Sequence, residues 1–330
     1  MKTLIATAVA AVLFGAAPAL AQQTTTPAAA PQPFAAGTPL GVTAADGKVT
    51  PMSSNVKVFG SVVSAESCVY DPQRKLIVTI NRGAGQKEVP NDGWVSLHNP
   101  DGSVHTSRWI GVNRNGLTLN QPFGSAIQNG KLYVADSDGD TADGAKRVSV
   151  VRVFDMATGA PSGQFVVPES AWFNGLAVAK DGTIYASQTG TPDGATPQRI
   201  YKVTADGKAS VFLEGAPLSR PNGVAIDNDG NIVIVNLGDT AILTYSPAGK
   251  LVKTEQSAQS GNDGVVVLAN GTKIVNSVML GGVAKIAPGK AAELVATGIP
   301  NAASACYDSD AKQLVIPMNQ QNALGFVKVQ

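Results

Sequence analysis

From about residue 56 onward, short apolar runs alternate with polar stretches rich in Asp-Gly, Asn-Gly and Pro. Runs this short, punctuated by tight-turn dipeptides, predict β-strands joined by hairpins rather than helices. Three segments then repeat one another. They are NGLAVAKDGTIYA from Asn174, NGVAIDNDGNIVI from Asn222 and DGVVVLANGTKIV from Asp263. In each, the turn residue (Asp181, Asp229 or Asn270) lies seven beyond the first residue and is followed by Gly. Asp-Gly and Asn-Gly at that place signal a tight hairpin.

Three weaker copies begin at Glu66, Phe123 and Ala303, before the strands Leu76–Ile80, Leu132–Ala135 and Leu314–Ile316. The six starting residues, here called anchors, are separated by 57, 51, 48, 41 and 40 residues. That is the length of one four-stranded blade, so the pattern predicts an all-β, six-bladed β-propeller. The sixth copy runs only to a third strand, Gly325–Val329, while Val56–Phe59 precedes the first copy without a blade of its own. Adding Val56–Phe59 to the last blade closes the ring and leaves no unpaired seam. A β-sandwich or a solenoid explains neither the six copies nor their complementary ends.

The N-terminus reads differently. Met1-Lys2, a small apolar run and Ala19-Leu20-Ala21 form the pattern of a signal peptide over residues 1–21. Residues 22–54 are Ala/Pro-rich, polar and aperiodic, the pattern of a flexible leader. The propeller then occupies 55–330, and the chain is expected to be exported to a periplasm or outside the cell. Only 15% of residues are charged and the net charge is +1. This gives no footprint for nucleic acid, nor for a membrane once the signal is removed. A monomer acting on a small molecule is the expectation.

In a propeller the innermost strands line a central channel, so their first residues meet at one mouth. Four anchors, Glu66, Asn174, Asn222 and Asp263, carry hard oxygen donors, with neither His nor Cys. The set suits one divalent cation, Ca²⁺ foremost, with Mg²⁺, Mn²⁺ or Zn²⁺ as alternatives. Taken singly, each is an ordinary turn or cap residue. Four at equivalent positions point to a metal site. Asp263 is the candidate general base or nucleophile. Trp172 and the second-strand ends Asn81, Asp136, Gln188, Asn236, Asn276 and Asn319 form a polar ring placed for substrate contacts.

Ala65-Glu66-Ser67, Trp172-Phe173-Asn174, Arg220-Pro221-Asn222-Gly223 and Asn262-Asp263-Gly264 occur in this order and at blade spacing. Together they resemble the senescence-marker-protein/gluconolactonase/luciferin-regenerating-enzyme-like family, whose relatives include diisopropyl fluorophosphatase and paraoxonase. The resemblance implies a divalent metal at the channel mouth, held by Glu66, Asn174, Asn222 and Asp263, and hydrolysis of a lactone or related ester. Sugar-lactonase members resemble Arg-x-Asn at the third blade, where this chain has Trp172, which argues against a sugar acid. The alternatives are a non-catalytic ligand- or protein-binding propeller like the NHL-repeat proteins, which Leu132–Ser137 also fits, and, less well supported, a quinone-dependent oxidoreductase.

Three further features carry weaker expectations. His98 and His105 flank the turn Pro100-Asp101-Gly102 and read as surface residues on outer strands. The run Asp136-Ser137-Asp138-Gly139-Asp140 with Asp143 has a calcium-loop composition without the EF-hand order, and reads as a long connection. Cys68 and Cys306 lie on neighbouring innermost strands. Counting from Tyr70 and Tyr307 gives them opposite parity, which reads as opposite faces and free thiols, with a disulfide as the alternative.

Overall fold

The strands of this chain are apolar on both faces, and a sheet of that kind must be covered on both sides. The structure, a computed structural model, meets this by standing six sheets around an axis. It describes residues 40–83, 90–111, 119–139 and 147–329. The chain enters through a hairpin, β1 (Gly41–Thr43) with β2 (Val49–Pro51), then β3 (Val56–Phe59). Blade one holds β4 (Ala65–Asp71), β5 (Leu76–Asn81), β6 (Trp94–His98) and β7 (Val104–Gly111). Blade two holds β8 (Ser125–Gln128), β9 (Lys131–Asp138), β10 (Val148–Asp155) and β11 (Pro161–Val167).

Blade three holds β12 (Leu176–Val178), β13 (Ile184–Gln188), β14 (Arg199–Val203) and β15 (Ala209–Glu214). Blade four holds β16 (Pro221–Ile226), β17 (Ile232–Asn236), β18 (Ala241–Tyr245) and β19 (Leu251–Gln256). Blade five holds β20 (Asn262–Val267), β21 (Lys273–Ser277), β22 (Val283–Ile286) and β23 (Glu293–Ala296). Blade six holds β24 (Cys306–Asp308), β25 (Gln313–Met318) and β26 (Ala323–Lys328), and is completed by β3, which pairs antiparallel with β26. The closure expected from the sequence is therefore the one observed.

The core lies between blades, as six apolar clusters, one at each interface. At the interface of blades three and four, for example, Tyr185 and Ile200 of one sheet meet Ile232, Ile234 and Leu243 of the next. Each sheet therefore packs its front on one neighbour and its back on the other. The outermost strands are different. β7, β11 and β19 are largely exposed and carry polar residues, which suits an unpaired sheet edge.

Two expectations change here. Cys68 and Cys306 form a disulfide, with Cα atoms 5.3 Å apart. The parity count was sound but its consequence was reversed. Because blades stack front to back, residues of opposite parity on neighbouring blades face each other, and both cysteines lie in the cluster between blades six and one. His98, in turn, is fully buried on β6, its ring nitrogens each 3.2 Å from Ser61 Oγ and Thr79 Oγ1. Burial pushes its pKa down to about 4. His105 is exposed, as expected.

Part of the stretch read as a flexible leader forms β1–β2 and is tied to blade five. Ser53 N donates to the Thr297 carbonyl at 2.9 Å, and Thr297 N donates to Ser53 Oγ at 2.8 Å. The signal-peptide stretch and residues 22–39 lie outside the described residues, as do Asp140 and Asp143. Among the described residues, no helix is long and apolar enough to cross a membrane.

Candidate metal and substrate site at the channel mouth

Four of the six anchors are followed by Gly124, Gly175, Gly223 and Gly264, and the other two by Ser67 and Ser304. The structure shows what the small residue is for. A methyl group on Gly223 would sit 2.5 Å from the Asp263 carbonyl oxygen, and one on Gly175 or Gly124 would collide with the carbonyl oxygen of Asn222 or Asn174. One on Gly264 would meet Asn276 Oδ1 at 2.6 Å and the Ser304–Ala305 backbone just beyond it. Small residues here let neighbouring innermost strands approach until their backbones touch. The bonds confirm it: Gly124 N donates to the Asn174 carbonyl at 2.8 Å, and Ser304 N donates to the Glu66 carbonyl at 3.0 Å. These contacts draw the anchors into one ring.

The second-strand ends shape the loops that lead into that ring. Asn81 Oδ1 accepts from Val63 N at 2.9 Å, Gln188 Oε1 from Ala171 N at 3.0 Å, and Asn236 Oδ1 from Ser219 N at 3.2 Å. Asp136 accepts from Asn120 N at 3.0 Å and from Gln121 N at 2.8 Å. In each of the four blades one donor sits three residues before the anchor. Arg152 Nε completes the Asp136 cluster at 3.0 Å. Asn276 Nδ2 donates to the carbonyls of Ala302 and Ala303, at 2.6 and 2.8 Å. These five side chains hold the mouth's backbone in place.

Asn319 behaves differently, because its Nδ2 donates to Glu66 Oε2 at 2.9 Å. Arg82 Nη1 donates to the same oxygen at 3.0 Å. Ser304 Oγ donates to Asp263 Oδ1 at 2.9 Å, and Asn222 Nδ2 lies 3.4 Å from Asp263 Oδ2. Glu66, Asn222 and Asp263 are 5%, 2% and 4% exposed, while Asn174 is half-buried. Burial first, and then repulsion from the Glu66 carboxylate, hold the Asp263 carboxyl well above the ordinary carboxylate range. Ser304 and Arg82 offset that only in part.

Neither Arg82 nor Ser304 was singled out from the sequence. Arg82 follows β5 in the one blade whose anchor is Glu, and Ser304 follows an apolar anchor, so the repeat gave them no distinguishing mark. The donor set fits a hard divalent cation on two observations. Two carboxylates share an enclosed space, in which burial and the Glu66 charge raise the pKa of Asp263. Asn222 Oδ1 and Asn319 Oδ1 are buried and have no hydrogen-bond partner among the described residues. Unpaired buried carbonyl oxygens beside paired carboxylates are what an oxygen-seeking cation satisfies.

Trp172 is half-buried on the rim, with the Arg147 guanidinium 5.8 Å from its ring centre. Below the ring lies a narrow waist of about 60 Å³, lined by Ser67, Gly124, Gly175, Gly223, Gly264 and Ser304 among others. The far end opens into a wider funnel of about 490 Å³ that includes Tyr70, Ile127, Val178, Ile226 and Tyr307. The donor-bearing anchors all lie at the first end.

This architecture recurs in solved structures. A gluconolactonase from Xanthomonas campestris superposes with a TM-score of 0.60 at 16% identity, over 91% of this chain and 98% of that one. Virginiamycin B lyase from Staphylococcus aureus gives 0.57 at 10% identity, over 83% and 99%. A Bacteroides thetaiotaomicron protein of unknown function gives 0.55 at 13%, over 85% and 79%. At these identities the likeness is one of fold. No curated protein matches the chain in sequence. The family model described as the SMP-30/gluconolactonase/LRE-like region matches residues 48–318, from β2 through β25, and the chain belongs to that family.

Proposed function

We propose that the protein is a metal-dependent hydrolase of a lactone or related ester, working at the channel mouth. The observation that carries this reading is the buried Glu66–Asp263 pair beside Asn222 Oδ1, which has no hydrogen-bond partner among the described residues. Glu66, Asn174, Asn222 and Asp263 would hold the cation, Ca²⁺ by the hardness of the donors. When bound, the cation supplies Lewis acidity toward a carbonyl oxygen and offsets the negative charge that develops there.

The chain's own groups do the rest. Asp263 is the proton acceptor toward the attacking water, with Ser304 fixing its Oδ1 and the Asn222 amide beside its Oδ2. Arg82 and Asn319 fix Glu66 from its other side, so neither carboxylate turns freely. The small residues that follow the anchors let the innermost strands approach one another closely. Neither histidine takes part, since His98 is buried on β6 and His105 lies on β7.

The family and the gluconolactonase fold neighbour support lactone chemistry. The signal-like N-terminus and the disulfide together support export to an oxidising compartment. One observation favours a second reading, a binding propeller without turnover. Arg82 and Asn319 already occupy Glu66 Oε2, so the mouth is partly satisfied by the protein itself.

The test is a panel of γ- and δ-lactones and aryl esters, assayed with Ca²⁺, after chelation, and with Asp263→Asn. Turnover of at least one substrate, abolished by chelation and by the variant, is expected. A calcium-loaded protein that hydrolyses none of them contradicts the enzymatic reading.

A further inference from the structure

Two donors of different charge converge on one oxygen of Glu66. Arg82 Nη1 lies 3.0 Å from Oε2, and Asn319 Nδ2 lies 2.9 Å from it. Both side chains of the Arg82–Glu66 ion pair are only 6% exposed, so the guanidinium charge is buried beside the proposed cation donors. That charge also reaches Asp263, whose pKa it draws downward. Arg82 is held in place from two further sides. Its guanidinium carbon stacks 4.5 Å from the Phe123 ring centre, and its backbone nitrogen donates to the Ser64 carbonyl at 3.3 Å.

The buried charge has a consequence for any ion that enters. With both carboxylates ionised, Glu66, Asp263 and Arg82 leave a single negative charge in excess. Adding a divalent cation turns this into a single positive charge in excess. Uncompensated charge is costly where water is excluded. Arg82 therefore relieves the metal-free mouth and burdens the loaded one. Asn319, a neutral donor to the same oxygen, does neither.

We propose that Arg82 is a tethered counter-ion of the channel mouth, which steadies Glu66 while the divalent cation is absent and weakens the site's hold on that cation when it binds. The proposal rests on the cation reading of the mouth and adds a residue that works against the ion, keeping it exchangeable. Arginine suits the place because its planar guanidinium bonds a carboxylate along its edge while its face lies on an aromatic ring. Asn319 differs in kind as well as in charge. Its Oδ1 is buried and has no hydrogen-bond partner among the described residues, so it offers the ion an oxygen where Arg82 offers only repulsion.

The test is Ca²⁺ titration by calorimetry of the wild type, Arg82→Gln, Arg82→Lys and Asn319→Ala, with melting temperatures read after chelation and again with Ca²⁺. Arg82→Gln is expected to bind Ca²⁺ about tenfold more tightly than the wild type. It should melt lower than the wild type after chelation and gain more from the ion. Arg82→Lys keeps the charge and should stay near the wild-type affinity. Asn319→Ala frees the same oxygen without removing a charge and should bind no more tightly than the wild type. A purely structural Arg82 would show the opposite sign, with lower melting and weaker binding together. Equal or weaker binding by Arg82→Gln therefore overturns the proposal, and so does an equal tightening in Asn319→Ala. The two readings fail separately. Lactone turnover with Ca²⁺ affinity unchanged in Arg82→Gln sinks the counter-ion alone, and the expected tightening without any turnover sinks the hydrolase alone.

Discussion

The Asp263 carbonyl oxygen stands 2.5 Å from where a β-carbon on Gly223 would fall. The contact joins blade four to blade five at the level of two proposed cation donors, Asn222 and Asp263. Gly223 does not have the left-handed backbone that favours glycine, so what it provides is space. Gly223→Ala must therefore push two backbones apart. Overpacking of this kind costs about 1–3 kcal/mol. We expect a lower melting temperature together with weaker Ca²⁺ binding. Gly230→Ala makes a useful contrast, because none of the described residues lies near its β-carbon position and its backbone is left-handed. It should lose stability and keep its calcium affinity.

His98 gives the fold a pH dependence of known sign. Its pKa in the folded protein is about 4 against 6.5 when exposed, because burial disfavours the charged ring. Between those values the unfolded chain takes up the proton first. Stability is therefore complete above pH 6.5 and falls as pH drops toward 4, by about 3 kcal/mol if His98 acts alone. Asp263, with its pKa raised, titrates in the opposite sense in the metal-free protein. The quantity to measure is therefore the difference between wild type and His98→Gln in urea denaturation from pH 7 to 4. A wild-type slope that the variant lacks is expected, and parallel curves would refute it.

The Cys68–Cys306 bond closes a loop with a sequence separation of 238 and crosses the seam at which the N-terminal strand completes the ring. Crosslinking so long a loop restricts the unfolded chain strongly, and losing such a bond typically costs about 2–5 kcal/mol. Cys68→Ser with Cys306→Ser should lower the denaturation midpoint without changing the fold. Reductant should destabilise the wild type and leave the double variant unaffected. If the double variant proves equally stable, the seam is held by packing alone.

The architecture was legible because the blade repeat is local. Seven residues from anchor to turn, and about fifty from anchor to anchor, can be read without knowing any distant contact. The ends of the chain were also informative, since β3 could belong only to the sheet that lacked a strand. The anchors Glu66, Asn222 and Asp263 followed from the same register, and the structure brings them together.

Features that depend on how blades stack were harder to read. The parity of Cys68 and Cys306 was countable, but its meaning required knowing that a blade's front meets its neighbour's back. His98 read as a surface residue because it precedes a turn, whereas β6 is covered on both sides. The ring of Asn81, Gln188 and Asn236 pointed to the mouth, yet their polar atoms bind the loop backbone three residues before each anchor. Arg82, Arg147 and Ser304 came from unequal positions in different blades, which no repeat can flag.

The measurement that bears most directly on the site is calcium titration of the purified protein, with melting temperature followed alongside. Asp263→Asn removes a carboxyl group whose ionisation burial and Glu66 oppose. The metal-free variant should therefore melt at or above the wild type. One Ca²⁺ per wild-type chain with a rise in melting temperature is expected, and loss of both in Asp263→Asn and in Glu66→Gln. A wild type that binds no divalent ion, or variants that bind it as well as the wild type, would rule out a cation site at the channel mouth.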